Sequence, residues 1–201
     1  MAETQSARTT PSTLVILVTG HPATGKTTLA HHLARELGLP FLWRDRIKEL
    51  LLDLLAPAPG ESGTTWSRRL GAVSWTLFYQ QVETLLEAGV AHVAESNFDP
   101  AYANSRWQAL NHTYAFRLVQ VRCATEPETL LARYRARIAA GERHPGHVDD
   151  SENPEFLAKI RQGPPGWVAL PGERVEVDTT NLTPGAYETI ARALAARVLS
   201  G

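Results

Sequence analysis

An eight-residue stretch, GHPATGKT from Gly20 to Thr27, has the composition and spacing of a loop that binds phosphates. It satisfies the pattern G-x-x-x-x-G-K-[ST], in which backbone N–H groups cradle phosphate oxygens, the lysine reaches the outer phosphates and the hydroxyl binds Mg²⁺. We therefore assign Lys26, at an exposed loop-to-helix junction, to the β- and γ-phosphates, and Thr27 to the metal. The predicted nucleotide-binding residues are Gly20, His21, Pro22, Ala23, Thr24, Gly25, Lys26, Thr27 and Thr28.

A carboxylate at the end of a later apolar segment supplies a second candidate group. The stretch VAHVAES, residues 90–96, is typical of a buried strand, and Glu95 stands near its end. Carboxylates at this place in other P-loop enzymes hold the Mg²⁺ shell or a water molecule, and we expect the same of Glu95. The alternative is a strand-ending glutamate that faces solvent.

Arginine is concentrated between residues 117 and 143. Arg133 and Arg137 are four residues apart and share one face of a predicted helix, so both can close over triphosphate oxygens as a lid and stabilise charge in the transition state. We predict catalytic roles for both. A solvated helix face is the alternative, and it suits Arg135 best.

The loop RHPGHVDD brings together His144, His147, Asp149 and Asp150, which are potential metal ligands. Zinc sites need three or four ligands with hydrogen-bonded supporting groups, and this turn has no obvious partners elsewhere in the sequence. A loop that contacts the acceptor or the nucleotide is favoured over a metal site, and a plain connecting loop is the other alternative.

Strand and helix patterns alternate along the chain, which predicts parallel strand pairing. The predicted strands are 14–19, 41–43, 90–96, 115–123 and 174–180. The predicted helices are 27–37, 46–55, 66–88, one that follows Pro100, 126–140, 155–160 and 184–199. The expected fold is α/β: a three-layer P-loop NTPase fold with a five-stranded parallel sheet and an arginine-bearing lid.

Apolar residues at helical spacing predict which helix faces are buried. These are Ile47, Leu50, Leu51 and Leu54 in one helix and Leu70, Val73, Leu77, Leu85 and Leu86 in the next. We expect Trp66, Trp75 and Phe78 to be core residues, with a stacking shelf for an acceptor as the alternative.

The bulk composition is that of one globular domain. The chain has 201 residues, of which 43% are hydrophobic and 20% charged. We expect a flexible tail over residues 1–12 and a single domain over 13–201, with the lid at roughly 126–153. The net charge of −1 argues against a protein that grips a long polyanion. The single cysteine, Cys123, is expected to be buried, and the absence of a signal peptide or membrane span predicts a cytoplasmic location.

Four stretches together resemble a group of AAA-type ATP-binding P-loop kinases. These are GHPATGKTTLA, RDRIK, AESNFDP and LLARYRAR. The group includes phage polynucleotide 5′-hydroxyl kinase, chloramphenicol phosphotransferase and zeta-toxin-like kinases, and the resemblance covers residues 14–137.

The resemblance implies roles for residues that lie outside the phosphate loop. It places Asp45 against the attacking hydroxyl, and Lys48 where the family has an arginine. The family's Asp-Thr-Asn corresponds to residues 95–97, which makes Asn97 a substrate residue, and its lid arginine corresponds to Arg133. The position of Asp45 agrees, because it follows a strand at the edge of the sheet where ligands bind. A helix-capping role is the alternative.

The function that these residues predict is an ATP-dependent kinase. It would use ATP and Mg²⁺ to phosphorylate a hydroxyl of a small molecule. A polynucleotide 5′-hydroxyl kinase and a nucleotide-dependent ATPase or switch are the alternatives. GTPase switches are disfavoured because Asn-Lys-x-Asp is absent; the lysines are Lys26, Lys48 and Lys159. The residues do not identify the acceptor.

Overall fold

The structure is a computed structural model that describes residues 13–147 and 153–200. The predicted tail at 1–12 lies outside the described residues. So do Asp149 and Asp150 of the histidine loop and the part of the predicted lid from 148 to 152.

Five parallel strands form one sheet within the described chain, as predicted. They are β1 (Leu14–Thr19), β2 (Phe41–Trp43), β3 (His92–Glu95), β4 (Arg117–Ala124) and β5 (Glu173–Asp178), in the spatial order β2-β3-β1-β4-β5. The central strand β1 is buried on both faces, which explains its continuous run of β-branched and leucine residues. Because β1 leads directly into Gly20, the phosphate-loop motif begins at the middle of the sheet's carboxyl edge.

Helices cover both faces of the sheet. They are α1 (Lys26–Leu37), α2 (Arg44–Leu54), α3 (Gly63–Glu87), α4 (Pro100–Tyr114), α5 (Pro127–Ala139), α6 (Pro154–Arg161) and α7 (Pro184–Ser200), with a 3₁₀ turn at Pro145–His147. On one face α1 and α7 enclose an apolar core that includes Leu29, Leu33, Ala191 and Leu194. On the other face α3 and α4 enclose a second core that includes Phe78, Val82, Trp107 and Leu110. The three-layer α/β architecture is therefore confirmed.

Helix α2 starts two residues earlier than predicted. Its N-cap is Trp43, whose side chain makes no capping hydrogen bond, and Asp45 lies inside the first turn. The alternative that Asp45 caps the helix is therefore wrong, although a carboxylate in the first turn still interacts favourably with the helix dipole.

The predicted buried faces of α2 and α3 are partly wrong. In α2 the buried residues are Lys48 and Leu52, while Leu54 is 78% exposed. In α3 the buried stripe advances by four residues from Leu70 through Ser74, Phe78 and Val82 to Leu86, and it leaves Val73 and Leu77 exposed. The reason is that α2 packs on α3 and presents polar groups to it.

The arginine-bearing helix α5 packs apart from the two main cores. Leu130 and Leu131 of α5 form a small buried cluster with Ile160 of α6, against Phe156 and Leu157. Elsewhere, Cys123 is buried in β4 as predicted, and burial raises the pKa of its thiol to about 12. No helix in the described chain combines the length and apolarity needed to span a membrane.

One buried histidine makes the stability of the fold sensitive to acid. His92 opens β3, and its Nδ1 lies 3.0 Å from the carbonyl oxygen of Val90. Its Nε2 is buried without a hydrogen-bond partner among the described residues. Burial lowers the pKa of His92 below 6.5, because the protonated ring loses its hydration.

We predict that the free energy of unfolding falls below pH 6.5. Below pH 6.5 the unfolded chain binds a proton at His92, whereas the folded chain does not until a lower pH because burial lowers the pKa of His92. The contribution of His92 to stability is therefore fully present above pH 6.5, and the free energy of unfolding declines by up to about 1.4 kcal/mol per pH unit below it. Thermal midpoints of the wild type and of His92→Gln at about pH 7.5 and about pH 5.5 test this. The wild type should lose about 3 °C more than the variant; equal losses would contradict the assignment.

Candidate functional site

The phosphate-loop motif takes the backbone conformation that its glycines permit. Gly25 has φ 78°, in the left-handed region, and a Cβ there would lie 2.1 Å from the hydroxyl oxygen of Tyr187. Glycine is therefore required at this position. Ala23 also has a positive φ of 67°, which is uncommon for a residue with a side chain and typical of strained functional loops.

Hydrogen bonds hold this loop in place. Thr24 Oγ1 donates to the carbonyl oxygen of His21 at 2.8 Å. The ring of His21 reaches a distant segment, with Nε2 2.8 Å from the carbonyl oxygen of Gly163. Burial lowers the pKa of His21, so the ring is neutral at physiological pH. The loop is thus tied to the segment that follows α6.

Lys26, Thr27 and Glu95 converge behind the loop. Lys26 Nζ lies 3.5 Å from Glu95 Oε1, and Thr27 Oγ1 donates to Glu95 Oε2 at 3.1 Å. Both charged side chains are buried, so the expectation of an exposed Lys26 and the alternative of a solvent-facing Glu95 are wrong. Burial raises the pKa of Glu95 and the ammonium of Lys26 opposes that rise.

The hydroxyl of Thr27 and the carboxylate of Glu95 fit a magnesium ion. Mg²⁺ prefers oxygen ligands and is usually held by one or two carboxylates together with substrate phosphates and water. The described residues include no cluster of three or more His, Cys, Asp or Glu side chains that could hold a metal by themselves. Thr27 and Glu95 therefore suit an ion that arrives with a nucleotide.

The register of the sheet brings Asp45 to the same place. Glu95 on β3 is flanked by Val18 on β1 and by Trp43 on β2, and Asp45 follows Trp43 by two residues. Neighbouring parallel strands end at one edge of the sheet, so the groups that follow them converge there. This is why the chain delivers Asp45 close to Lys26.

Arg44 fixes the orientation of the Asp45 carboxylate. Its Nη1 donates to Asp45 Oδ1 at 2.9 Å, and its Nη2 donates to the carbonyl oxygen of Gly71 at 3.0 Å. The guanidinium also lies 5.0 Å from the ring centre of Trp75. Burial alone would raise the pKa of Asp45, but the charges of Lys26 and Arg44 outweigh it and leave the pKa below 3.8. Asp45 is therefore anionic at neutral pH.

Two cavities meet at the loop. The larger, here called the loop cavity, has a volume of about 530 Å³, and its lining includes Lys26, Thr27, Thr28, Trp43, Arg133 and Arg137. The smaller, here called the narrow cavity, has about 50 Å³, and its lining includes Lys26, Thr27, Asp45, Arg137, His144 and His147. Residues from the phosphate-loop motif, from α2 and from the predicted lid thus surround one space.

The two predicted lid arginines are engaged differently. Arg133 donates to the carbonyl oxygens of Thr179 and Thr180 at 2.9 and 2.8 Å, and so holds the loop between β5 and α7. Its action on phosphates stays a prediction. Arg137 Nε lies 3.9 Å from Glu142 Oε2, and Arg137 lines both the loop cavity and the narrow cavity.

Lys48 and Asn97 lie in two further cavities that share Trp75. Lys48 Nζ donates to Ser67 Oγ at 2.9 Å and lines a cavity of about 570 Å³. Asn97 is exposed and lines a cavity of about 490 Å³. Of the three aromatic residues expected in the core, only Phe78 is fully buried; Trp66 and Trp75 are half-buried.

The histidine loop docks on α2. His144 Nε2 lies 2.9 Å from Asp53 Oδ1, and His147 Nε2 lies 3.3 Å from Glu49 Oε1. His144 and His147 line the narrow cavity, and contact of this loop with the acceptor or the nucleotide stays a prediction. Sequence reasoning did not predict the partners of this loop. Asp53 and Glu49 lie 91 and 98 positions before His144 and His147, and no local pattern links residues so far apart.

Sequence reasoning also missed Arg44 and Trp43 as site residues, and it gave Trp75 a place at the site only as the alternative to a core position. A signal existed for Arg44, which stands beside Asp45 in the RDRIK stretch. For Trp43 no such signal exists, since strand spacing alone cannot separate a cavity wall from a core position.

The buried pair gives a stability prediction. Lys26→Met leaves the Glu95 carboxylate buried without its cation, and we expect a loss of about 3 kcal/mol in the free energy of unfolding at neutral pH. Adding Glu95→Gln removes the uncompensated charge and should restore most of that loss. Urea denaturation of both variants and of Glu95→Gln alone measures the effect. An equal loss with and without Glu95→Gln would show that the ion pair is not its cause.

The chain is similar to a known protein family and to solved structures of kinases. A family model described as an AAA domain matches residues 15–162. A candidate kinase from Chloroflexus aurantiacus j-10-fl is 38% identical over 92% of this chain and 98% of its own, with a TM-score of 0.78. No curated protein sequence matches.

More distant solved structures share the fold alone. The APS kinase of Mycobacterium tuberculosis, solved with AMPPNP and APS, is 18% identical over 96% of this chain and 100% of its own, with a TM-score of 0.53. The shikimate kinase of Acinetobacter baumannii, solved with shikimate, is 17% identical over 95% of this chain and 94% of its own, with a TM-score of 0.51. The chain therefore has a kinase-like P-loop fold.

Proposed function

The chain belongs to the AAA domain family, and from that premise we propose that it is an ATP-dependent kinase that phosphorylates a hydroxyl of a small molecule. The observation that carries this proposal is the narrow cavity, where Lys26, Asp45 and Arg137 face one another. Phosphoryl transfer requires a cation that contacts the phosphates, here Lys26, and an anion that accepts the hydroxyl proton, here Asp45. It also uses a second cation from another part of the chain, here Arg137.

The loop cavity is proposed to receive ATP. Lys26 would contact the β- and γ-phosphates, and its burial beside Glu95 limits the positions that its ammonium can take. Thr27 and Glu95 would hold Mg²⁺, which when bound neutralises charge that develops on the transferred phosphate. The AMPPNP in the APS kinase of the same fold supports this use of the cavity.

Asp45 is proposed to orient the acceptor hydroxyl. Phosphoryl transfer has a loose transition state that asks for little activation of the nucleophile, so a carboxylate with a low pKa is adequate. Its anionic oxygens accept the hydroxyl hydrogen, and Arg44 keeps them in a fixed direction. Positioning of the two reactants then makes the main contribution to the rate.

The segment from α5 to His147 is proposed to act as a lid, with residues 148–153 as its continuation. It packs on α6 through the Leu130 cluster and contacts α2 through His144 and His147. Closure would exclude water from the transferred phosphate, which limits wasteful hydrolysis. Arg137 would then neutralise charge on the phosphate, while Arg133 holds the β5–α7 loop.

The decisive variant is Asp45→Asn. It keeps the size of the side chain but loses the anionic acceptor, so acceptor phosphorylation should fall by ~10²–10⁴ while ATP affinity hardly changes. ATP consumption is measured against a panel of hydroxyl compounds, beside a reaction without acceptor. Glu36→Gln, a carboxylate-to-amide change on α1, is the matched control and should keep wild-type turnover.

Two outcomes would contradict the kinase proposal. Undiminished phosphorylation by Asp45→Asn would remove this residue from the mechanism. Equal ATP turnover with and without every acceptor would favour an ATPase or switch, and phosphorylation of an oligonucleotide 5′-hydroxyl in preference to every small molecule would favour the polynucleotide kinase alternative.

The lid arginine gives a second kinetic prediction. Arg137→Ala should lower kcat by about 10²–10³, with a much smaller change in ATP affinity, because the charge it neutralises grows during transfer. Arg135→Ala, on the same helix but not lining either cavity, is the control. Steady-state kinetics and calorimetric ATP titration measure both. Equal effects of the two substitutions would show that the helix face is assigned wrongly.

A further inference from the structure

The 570 Å³ cavity is lined by an unusual number of basic side chains. Its lining residues are Arg44, Lys48, Thr64, Ser67, Arg68, Gly71, Trp75, His147 and Asn153, and among these described residues there is no carboxylate. We call this space the cationic cavity. Its volume suits a small molecule or one end of it.

Local contacts hold Lys48 and Arg44 at the wall of the cationic cavity. Lys48 is buried and donates to Ser67 Oγ, which in turn donates to the carbonyl oxygen of Gly146 at 2.6 Å. Arg44 is held by Asp45 and Gly71. Nothing among the described residues forms an ion pair with Arg68. The ordered wall therefore includes a buried ammonium, where an anion would interact more strongly than in water.

Helix α3 adds to the positive potential. Its 25 residues begin at Gly63, and Thr64, Ser67 and Arg68 line the cavity from its first two turns. The N-terminal end of a helix carries partial positive charge, which favours anions nearby. The start of α3 and the basic side chains thus meet on one wall.

The cationic cavity adjoins the place of proposed transfer. His147 lines both this cavity and the narrow cavity, which contains Asp45 and Lys26. Arg44 lines the cationic cavity and bonds directly to Asp45. The cationic cavity is therefore a neighbouring space into which a molecule held at Asp45 can extend.

We propose that the cationic cavity binds a compact anionic group of the acceptor, a carboxylate or a phosphate, so that the substrate is a small anionic hydroxyl compound. Arginine and lysine are the usual partners of both groups. This inference rests on the proposed kinase function for the role of the bound molecule, but not for the presence of an anion site. The half-buried ring of Trp75 lines the cationic cavity and supplies an apolar surface for the carbon skeleton.

Binding is tested without any acceptor turnover. The protein is first saturated with Mg²⁺ and a non-hydrolysable ATP analogue, so that the phosphate loop is filled, and inorganic phosphate is then titrated by calorimetry. We expect Arg68→Gln and Lys48→Met each to weaken phosphate binding about tenfold or more. Arg69→Gln is the matched control, since Arg69 neighbours Arg68 on α3 but pairs with Glu61 outside the cavity; it should change binding less than about twofold. If Lys48→Met fails to fold, the effect of Arg68→Gln on phosphate affinity still tests the anion site.

Turnover is tested with pairs of related acceptors in which one member carries an anionic group and the other is neutral: gluconate against sorbitol, glycerate against glycerol, and glucose 6-phosphate against glucose. The charged member should have a kcat/KM at least about tenfold higher than the neutral member in one or more pairs. In Arg68→Gln the ratio of the two kcat/KM values should be smaller. The carboxylate and phosphate pairs distinguish the two anions.

The outcomes separate this inference from the kinase proposal. Phosphate binding that depends on Arg68 but not on Arg69, without phosphorylation of any acceptor, would support the anion site and count against the kinase. Phosphorylation of the neutral members with equal efficiency would overturn the anion site and leave the kinase standing. No phosphate binding by the wild type, or equal weakening by Arg68→Gln and Arg69→Gln, would also overturn it.

Discussion

The contact between the Lys26 ammonium and the Glu95 carboxylate is the interaction on which the site depends. Each charge alone would be costly to bury, and each makes the burial of the other tolerable. The contact exists only because β1 and β3 are neighbours in a register that sets Val18 beside Glu95. A slip of one residue would turn Glu95 to the other face of the sheet. The same ammonium helps to keep Asp45 ionised, so one buried cation influences both ends of the proposed reaction.

Helix α2 connects the parts of the site through its polar side chains. Successive turns carry Asp45, Lys48, Glu49 and Asp53, and their contacts run to Arg44, Ser67, His147 and His144. Ile47 packs α2 against the second core, and the polar contacts join the helix to α3 and to the histidine loop. A shift of α2 would therefore move Asp45, the wall of the cationic cavity and the docking points of the proposed lid together.

The apolar packing divides the molecule into a rigid scaffold and a lightly anchored segment. Two extensive cores clamp the sheet between α1 and α7 on one face and α3 and α4 on the other. In the described chain α5 is buried mainly through the small cluster of Leu130, Leu131 and Ile160. Segments with few buried apolar contacts open more easily than core elements, which suits a helix proposed to close over a nucleotide.

The sequence by itself determined the strands and helices, the phosphate-loop motif and the fold class, because each depends on periodicity or on residues adjacent in the chain. It also indicated Glu95 and Asp45, since polar residues that end parallel strands meet at one edge of a sheet. The tertiary structure alone decided the burial of Lys26, the contacts of Arg133 with the β5–α7 loop, the polar contacts of α2 and the grouping of basic residues around one cavity. These arise from contacts between segments tens of residues apart, and local spacing carries no record of which segments pack together.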